Sequence, residues 1–350
     1  MSRIAELTGF SGKVQPVWGG HRSRSTMGGN RSLQFLLTST PLPDADDPHW
    51  LPRLMERRFA ASAHHHHTLV DRPEAADAII FFEMMQKQPA GDLLSSKLRT
   101  HPWVREFPEK CYVADNSEMP AGWLPGVYTS MPAPRFDPRC FRAMGFPVGT
   151  NPLVGQREHE RTLVPHRLCS FRGANQPGVR AAILSHGGWP EDFEIRRTEF
   201  LGNWRPDVDR EYRKAYVDSI LGSRFVLCPR GYATSTFRMY ETMQLGRVPV
   251  VLSDDWVAPS GPDWGSCSVR VAERDWASLP DILGGADSSW PQLAANARTV
   301  WEQWFSNRAH VWRILDWIAE IATGPHPADR ASRERWRHKE FIIASLRGKA

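Results

Sequence analysis

The sequence predicts an α/β protein of two domains, each built on a parallel sheet, and three observations carry that reading. The chain has 350 residues, more than a single hydrophobic core usually serves. Residues 78–83 read AIIFFE, a continuous apolar run suited to a strand covered on both faces, as strands of parallel sheets are. Residues 224–253 run in the order strand, glycine-containing turn, helix, glycine, strand, which is a right-handed βαβ crossover.

Taken in order, residues 1–30 are rich in Gly, Ser and Arg without a sustained period and are expected to form a loosely attached arm. The first domain is assigned to residues 31–164. It opens with LQFLLT as a strand, continues with WLPRLMERRF as a helix, and returns with AIIFFE as a second strand. From Tyr112 to Pro152 the density of Pro and Gly predicts short strands and functional loops rather than long helices. The second domain, residues 165–325, starts with HRLCSFRG as a strand ending at Gly173, then PGVRAAILSHGG as a helix with Pro177 in its first turn. Residues 191–210 read as polar and irregular, EYRKAYVDSILGS as an amphipathic helix and RFVLC as the next strand. Trp290 to Ile321 reads as helical with Trp301, Trp304 and Trp312 on apolar faces, and residues 326–350 as a basic helix across the domain junction.

Bulk composition narrows the function only slightly. A formal charge of +5 suits an anionic ligand, but Lys and Arg are scattered and no aromatic-basic motif is present, which argues against nucleic acid. The five cysteines, Cys111, Cys140, Cys169, Cys228 and Cys267, are widely spaced with no CxxC pair, so a reducing compartment is expected and neither a disulfide framework nor a zinc site is indicated. No apolar run is long enough for a membrane span or a secretory signal, which gives the expectation of a soluble cytoplasmic protein, with peripheral membrane contact allowed. The tract His64 to His67 is expected to be an exposed loop, since four consecutive imidazoles do not converge on one ion.

The chemistry concentrates in Phe225 to Trp256, FVLCPRGYATSTFRMYETMQLGRVPVVLSDDW. Thr234 or Ser235 caps a helix that Gly246 stops, and the helix N-terminus presents unpaired N–H groups to an anion beyond the carboxyl ends of the strands. Residues Arg230 to Thr236 therefore mark a phosphate site. On the helix, Thr234, Arg238 and Glu241 stand at i, i+4 and i+7 and share a face. A hydroxyl and a guanidinium suit phosphate oxygens, and a carboxylate suits ribose hydroxyls. The same spacing also fits an Arg–Glu pair that decorates a surface helix.

The run FVLCPRG, followed by Arg238, Glu241, Gly246 and PVVLSDDW, closely resembles the signature of the exostosin glycosyltransferases. DRPEAADAIIFF, SFRGANQPGVRAAIL and YVDSILGSRFVLCPRG stand in the order in which that family carries similar segments, so the resemblance spans residues 70–320 and is closest over 168–256. It implies a GT-B fold, two facing Rossmann-like domains with the nucleotide-sugar donor held by the second and the acceptor mainly by the first. It further implies that Arg230 and Gly231 face the donor diphosphate, that Ser235, Thr236 and Arg238 reinforce it, and that Glu241 holds the ribose. Arg172, Gly173 and Arg180 approach from the first βα turn of the same domain, Arg180 being equally readable as structural. Asp254 touches the sugar or caps the next turn.

The implied activity is an inverting, metal-independent transfer from a UDP-sugar to a hydroxyl of a saccharide, glycolipid or small molecule, with no cofactor. A general base is then needed in the first domain, and Glu83, Asp115 and Glu118 are its candidates, Glu83 placed first. Trp123, Trp189, Trp204 and Trp256 are candidate stacking platforms for a sugar. A transferase-like binding or scaffold subunit without turnover, and a fucosyltransferase using GDP-fucose, are the competing readings.

Overall fold

The computed structural model describes residues 32–40, 47, 49–62, 66–83, 97–118, 120, 122, 124–149, 151–199 and 210–324. They form two parallel sheets. The first contains β1 (Gln34–Thr38), β2 (Thr68–Leu69), β3 (Ala78–Glu83), β4 (Cys111–Asp115), β5 (Gly126–Tyr128) and β6 (Phe141–Ala143) in the order β2-β1-β3-β4-β5-β6. The second contains β7 (Arg167–Ala174), β8 (Phe193–Thr198), β9 (Ser223–Pro229), β10 (Val248–Leu252) and β11 (Val269–Arg270) in the order β11-β10-β9-β7-β8. The helices are α1 (Trp50–Ala60), α2 (Lys97–Thr100), α3 (Pro102–Glu106), α4 (Pro152–Gln156), α5 (Val179–Ser185), α6 (Arg210–Leu221), α7 (Phe237–Gln244), α8 (Leu279–Ala286), α9 (Trp290–Val300) and α10 (His310–Thr323). The expected α/β class with parallel sheets is thus present in both halves.

β3 occupies the residues expected of it, and its five apolar side chains are buried, because a strand flanked by β1 and β4 and covered on both faces has no solvent side. β9, α7 and β10 form the expected crossover, with β9 and β10 paired in parallel from Phe225 and Val248 onward. Gly246 closes α7 at φ 63°, the left-handed conformation that costs glycine nothing.

Three local expectations are corrected. Residues 193–198 are a strand rather than an irregular stretch: β8 sits at the sheet edge, paired only with β7, and its polar sequence FEIRRT fits a half-exposed edge position. Helix α7 starts at Phe237 with Thr236 as its N-cap in an extended conformation, so Thr234 belongs to the turn before the helix and not to its face. Helix α5 starts at Val179 after Gly178 at φ 88°, which leaves Pro177 outside the first turn.

The C-terminal helical region breaks after α9 into a wide turn at Trp301–Phe305 before α10. Helix α10 packs on β5, β6 and α1 of the first sheet, so the chain returns to the first half after completing the second. One apolar cluster accordingly joins Phe35, Ile80 and Phe82 of the first sheet with Met239, Tyr240 and Met243 of α7 and Ile314, Leu315 and Ile318 of α10. Burial of that many aliphatic and aromatic side chains is the main term holding the halves together. Arg247 adds a polar fastening: buried at 2% exposure, it donates to the carbonyl oxygens of Leu221, Arg161 and Leu163 and so pins the connecting segment to the second sheet.

The arm at 1–30 and the tail at 326–350, with Trp123 and Trp204, lie outside the described residues. Of the other two candidate platforms, Trp256 is buried against Trp264, edge to face at 5.1 Å, and Trp189 stacks on Phe193 at 5.5 Å while its Nε1 donates to the Ile183 carbonyl. Both therefore serve packing. All five cysteines are buried and unbridged. Among the described residues no helix is long and apolar enough to cross a membrane.

Candidate active site

In the second sheet the chain leaves β7 toward β8 on one side and resumes at β9 on the other. A parallel sheet that reverses direction in this way opens a crevice at the carboxyl ends of the two diverging strands. A cavity of about 520 Å³ lies there. Arg172 and Gly173 enter it from the end of β7, Arg180 from α5, Tyr212, Arg213 and Tyr216 from α6, and Gly231, Ser235 and Thr236 from the turn after β9. Phe237, Arg238 and Glu241 line it from α7, and Glu118 and Phe146 close it from the side of the first sheet.

The cavity is strongly cationic and held in place by backbone contacts. Arg238, buried at 9% exposure, donates from Nη2 to the Arg172 carbonyl oxygen at 2.7 Å and lies over the Phe171 ring at 4.6 Å. Arg180 donates from Nη2 to the Pro229 carbonyl oxygen at 3.0 Å. Burial first, and then the neighbouring Arg238 charge, lower the Arg180 pKa to about 10 against the opposing pull of Glu118. The Nε atoms of Arg172 and Arg180 and Oε1 of Gln176 are shielded from solvent with no hydrogen-bond partner among the described residues. Such groups are costly unless a ligand or water completes them.

Glycines make the approach of these cations to the backbone possible. A Cβ on Gly173 would lie 3.0 Å from Phe171 Cζ and 3.1 Å from Arg238 Nη2, and one on Gly231 would lie 3.3 Å from Arg180 Nη2. Both positions keep a guanidinium against the chain, so the expected glycine turn has a second use beyond its conformation.

The carboxylates divide cleanly. Glu241, buried at 7% exposure, accepts a hydrogen bond at Oε2 from the Tyr216 hydroxyl at 2.5 Å. Burial raises the pKa of Glu118, and the Arg180 charge acts against that rise. Glu83 does not reach the cavity: its two carboxylate oxygens accept from the backbone N and Oγ1 of Thr40 at 2.8 and 2.7 Å, which ties the ends of β1 and β3 together. Asp115 is likewise occupied, accepting from Ser117 N and Oγ in a turn that carries the chain on to Glu118. Burial raises its pKa as well, against those two bonds.

Three more expected site residues stand apart from the cavity. Arg230 pairs with Asp255 at 3.2 Å and approaches Glu273 at 3.8 Å. Asp254 exchanges two backbone hydrogen bonds with Glu273, its N donating to Oε1 and its Oδ1 accepting from Glu273 N, both at 3.0 Å. It thereby caps the start of the helical turn Glu273–Ser278, 19 positions on, a different turn from the one after its own strand that the sequence offered. Thr234 is buried, and its carbonyl oxygen accepts from Ser253 Oγ at 2.8 Å. Residues that sequence reasoning missed are Tyr212, Arg213 and Tyr216 on α6, with Phe146, Asn151 and Gln176. An available signal was Tyr212 and Tyr216, one helical turn apart on an amphipathic helix.

A separate group, His66, His67 and Asp316, places three potential metal-ligating atoms within 4.8 Å of one another. His67 is buried rather than in an exposed loop, which corrects that expectation. Its Nδ1 accepts from Leu33 N at 3.2 Å, so the proton of the neutral ring sits on Nε2 and is donated to Asp316 Oδ1 at 3.2 Å. With no lone pair left for an ion, His67 links the start of β1 to α10, and His66 adds a bond to the same oxygen at 3.0 Å.

A family model covers most of the residues that line the cavity. Residues 153–285 match the Exostosin GT47 domain, a span that holds all the cavity-lining residues from Arg172 to Glu241 and leaves out Glu118, Phe146 and Asn151. An Exostosin-1 homolog of Caenorhabditis elegans is 43% identical over 79 residues, 22% of this chain and 21% of that protein. A probable glucuronosyltransferase of Oryza sativa subsp. japonica is 35% identical over 175 residues, 49% of this chain and 35% of that protein. The chain thus spans about a fifth to a third of these two relatives. Among solved structures, Anabaena HepE in complex with UDP is similar at 11% identity over 83% of this chain and 98% of that one, with a TM-score of 0.35.

Proposed function

From the premise that the chain carries an exostosin GT47 domain, a glycosyltransferase domain, we propose that it transfers a sugar from a UDP-sugar to a hydroxyl of a saccharide, glycolipid or small-molecule acceptor. The observation that carries this reading is the convergence of Arg172, Arg180 and Arg238 with Glu241 and Glu118 on one cavity at the point where the second sheet reverses. Residues 165–325 are the donor side of the protein in this reading, and residues 31–164 the acceptor side.

In the proposed complex the diphosphate lies against the Gly231 turn and the first turn of α7, where Ser235 and Thr236 offer hydroxyls and the guanidinium groups offer charge. Glu241 accepts from the ribose hydroxyls. The acceptor oxygen bonds to the anomeric carbon on the face opposite the leaving group, so the product is inverted. The bond from that carbon to the β-phosphate oxygen breaks with its electron pair going to UDP. The acceptor proton goes to Glu118, whose raised pKa brings it nearer the working pH of a general base. Protein cations, in place of a divalent metal, take up the charge that develops on UDP. A cytoplasmic setting, supported by five unbridged cysteines, completes the proposal.

The test is nucleotide release by purified protein from a panel of UDP-sugars and GDP-fucose, with a sugar-acceptor mixture present. Release from a UDP-sugar is expected, and Arg238→Ala and Glu241→Ala are expected to abolish it with folding intact. Release that survives both substitutions would overturn the site. GDP release alone would move the donor to GDP-fucose, and neither release nor nucleotide-induced stabilisation with any donor would make the protein a binding subunit without turnover.

A further inference from the structure

The tyrosine of the segment YVDSILGSRFVLCPRG has no role in the chemistry so far, yet its side chain meets two side chains of α7. The Tyr216 hydroxyl donates to Glu241 Oε2 at 2.5 Å, and its ring lies 5.5 Å from the guanidinium of Arg238. Tyr216 also lines the cavity itself. It stands on α6, the helix that leads into β9, whereas Glu241 and Arg238 stand on the helix that leaves it. One residue from before the strand thus contacts the carboxylate and the cation that come after it.

We propose that Tyr216 is a positioning residue, that its hydroxyl fixes the Glu241 carboxylate toward the ribose, and that it thereby sets the preference of the protein for ribonucleotides over 2′-deoxyribonucleotides. The proposal rests on the donor reading above.

Three physical points support it. A carboxyl group at 7% exposure requires hydrogen-bond partners to offset its lost hydration, and a hydroxyl bonded to one oxygen also restricts the rotation of the carboxyl group. A phenol is well suited to the task, since its oxygen moves only with a ring that packing holds. Burial and the adjacent Glu241 charge hold the Tyr216 pKa well above its ordinary range, so the phenol remains a donor at any working pH. A carboxylate oriented in this way presents fixed acceptor geometry to vicinal ribose hydroxyls, and a sugar without the 2′-hydroxyl leaves part of that geometry unused.

The ring and the hydroxyl have separable jobs. Phenylalanine at this position keeps the ring beside Arg238 and removes only the bond to Glu241. Leucine removes both, which loosens the cation that faces the diphosphate.

The experiment measures binding of UDP, 2′-deoxy-UDP and inorganic pyrophosphate by calorimetry to the wild-type chain and to Tyr216→Phe, Tyr216→Leu and Glu241→Gln, each checked by circular dichroism and thermal melting. The wild type is expected to prefer UDP to 2′-deoxy-UDP by about tenfold. Glu241→Gln is expected to remove most of that preference, and Tyr216→Phe to cut it to about a third or less while pyrophosphate affinity holds at the wild-type value. Tyr216→Leu is expected to weaken all three ligands. A Tyr216→Phe variant that keeps the wild-type ratio while Glu241→Gln loses it would overturn the role of Tyr216 and leave the donor reading standing. A wild type that binds UDP without discriminating it from the deoxy form overturns the proposal irrespective of any variant. A wild type that binds no uridine nucleotide overturns the donor reading and the proposal with it.

Discussion

Arg238 donates to the carbonyl oxygen of Arg172 at 2.7 Å, which ties the first turn of α7 to the end of β7 across the reversal point of the second sheet. The same guanidinium lies over the Phe171 ring at 4.6 Å, so its position is fixed by a directional bond and a planar contact together. Lysine in its place keeps the charge and loses both the fork and the planar face. Arg238→Lys is therefore expected to weaken UDP binding about tenfold to a hundredfold, or about 1.4 to 2.8 kcal/mol, with a melting temperature close to that of the wild type. Isothermal calorimetry against UDP checks it, and unchanged affinity would remove Arg238 from the site.

Gly173 tests the same contact from the other side. A methyl group there would lie 3.1 Å from Arg238 Nη2 and 3.0 Å from Phe171 Cζ, closer than either neighbour tolerates without moving. Since Arg238 ends in a long side chain and Phe171 is buried at 0% exposure, the arginine gives way first. Gly173→Ala is expected to reduce UDP affinity several-fold and to cost less than about 2 kcal/mol of stability. The two readouts, calorimetry and urea unfolding, separate displacement of the arginine from general disruption.

Glu118 supplies a pH dependence whose direction follows from its surroundings. Burial raises its pKa above the ordinary glutamate value, so the carboxylate form, the one proposed to accept the acceptor's proton, is lost on acidification earlier than in an exposed glutamate. The acid limb of kcat/KM is then expected to fall at a pH above that ordinary value. Glu118→Gln is expected to lower kcat by about 10²- to 10⁴-fold with UDP affinity nearly unchanged. A Glu118→Gln enzyme with the wild-type rate and pH profile would return the search for the base to other carboxylates.

Much of the fold is legible because its signals are local. β3 needs only its own continuous apolar run, and the end of α7 needs only Gly246. The start of α7 is less so, since Thr234, Ser235 and Thr236 all have cap-forming side chains and only the backbone, extended at Thr236, selects among them. β8 carries three charged residues out of six at an edge, where burial is too slight to impose an apolar pattern. The choice between Glu83 and Glu118 is not local at all. Glu83 ends one apolar strand and Glu118 lies three residues past another, and what holds Glu83 away from the cavity is Thr40, just past β1, a pairing across 43 positions. Arg230 is diverted in a similar way by Asp255 and Glu273, so a matching motif gave the turn correctly without fixing where its arginine points.

His310 makes the stability of the whole molecule depend on pH. It lies at the start of α10, the helix that returns from the second half to the first sheet, and is buried at 3% exposure. Its ring meets Phe305 edge to face at 5.8 Å, and neither ring nitrogen has a hydrogen-bond partner among the described residues. Burial, reinforced by the charge of Arg58, lowers its pKa to about 3, against an ordinary value near 6.5. The unfolded chain therefore binds a proton that the folded chain refuses, and folding stability falls as pH drops from about 6.5 toward 3, by about 1.4 kcal/mol for each unit. Between pH 7 and pH 5 the loss from this group is expected to be about 2 kcal/mol. His310→Phe, which keeps an aromatic ring beside Phe305 and has nothing to titrate, is expected to be less sensitive to acid by that amount. Urea unfolding of both proteins at pH 7 and pH 5 makes the comparison, and equal losses would mean that the folded protein accommodates a protonated ring at this position.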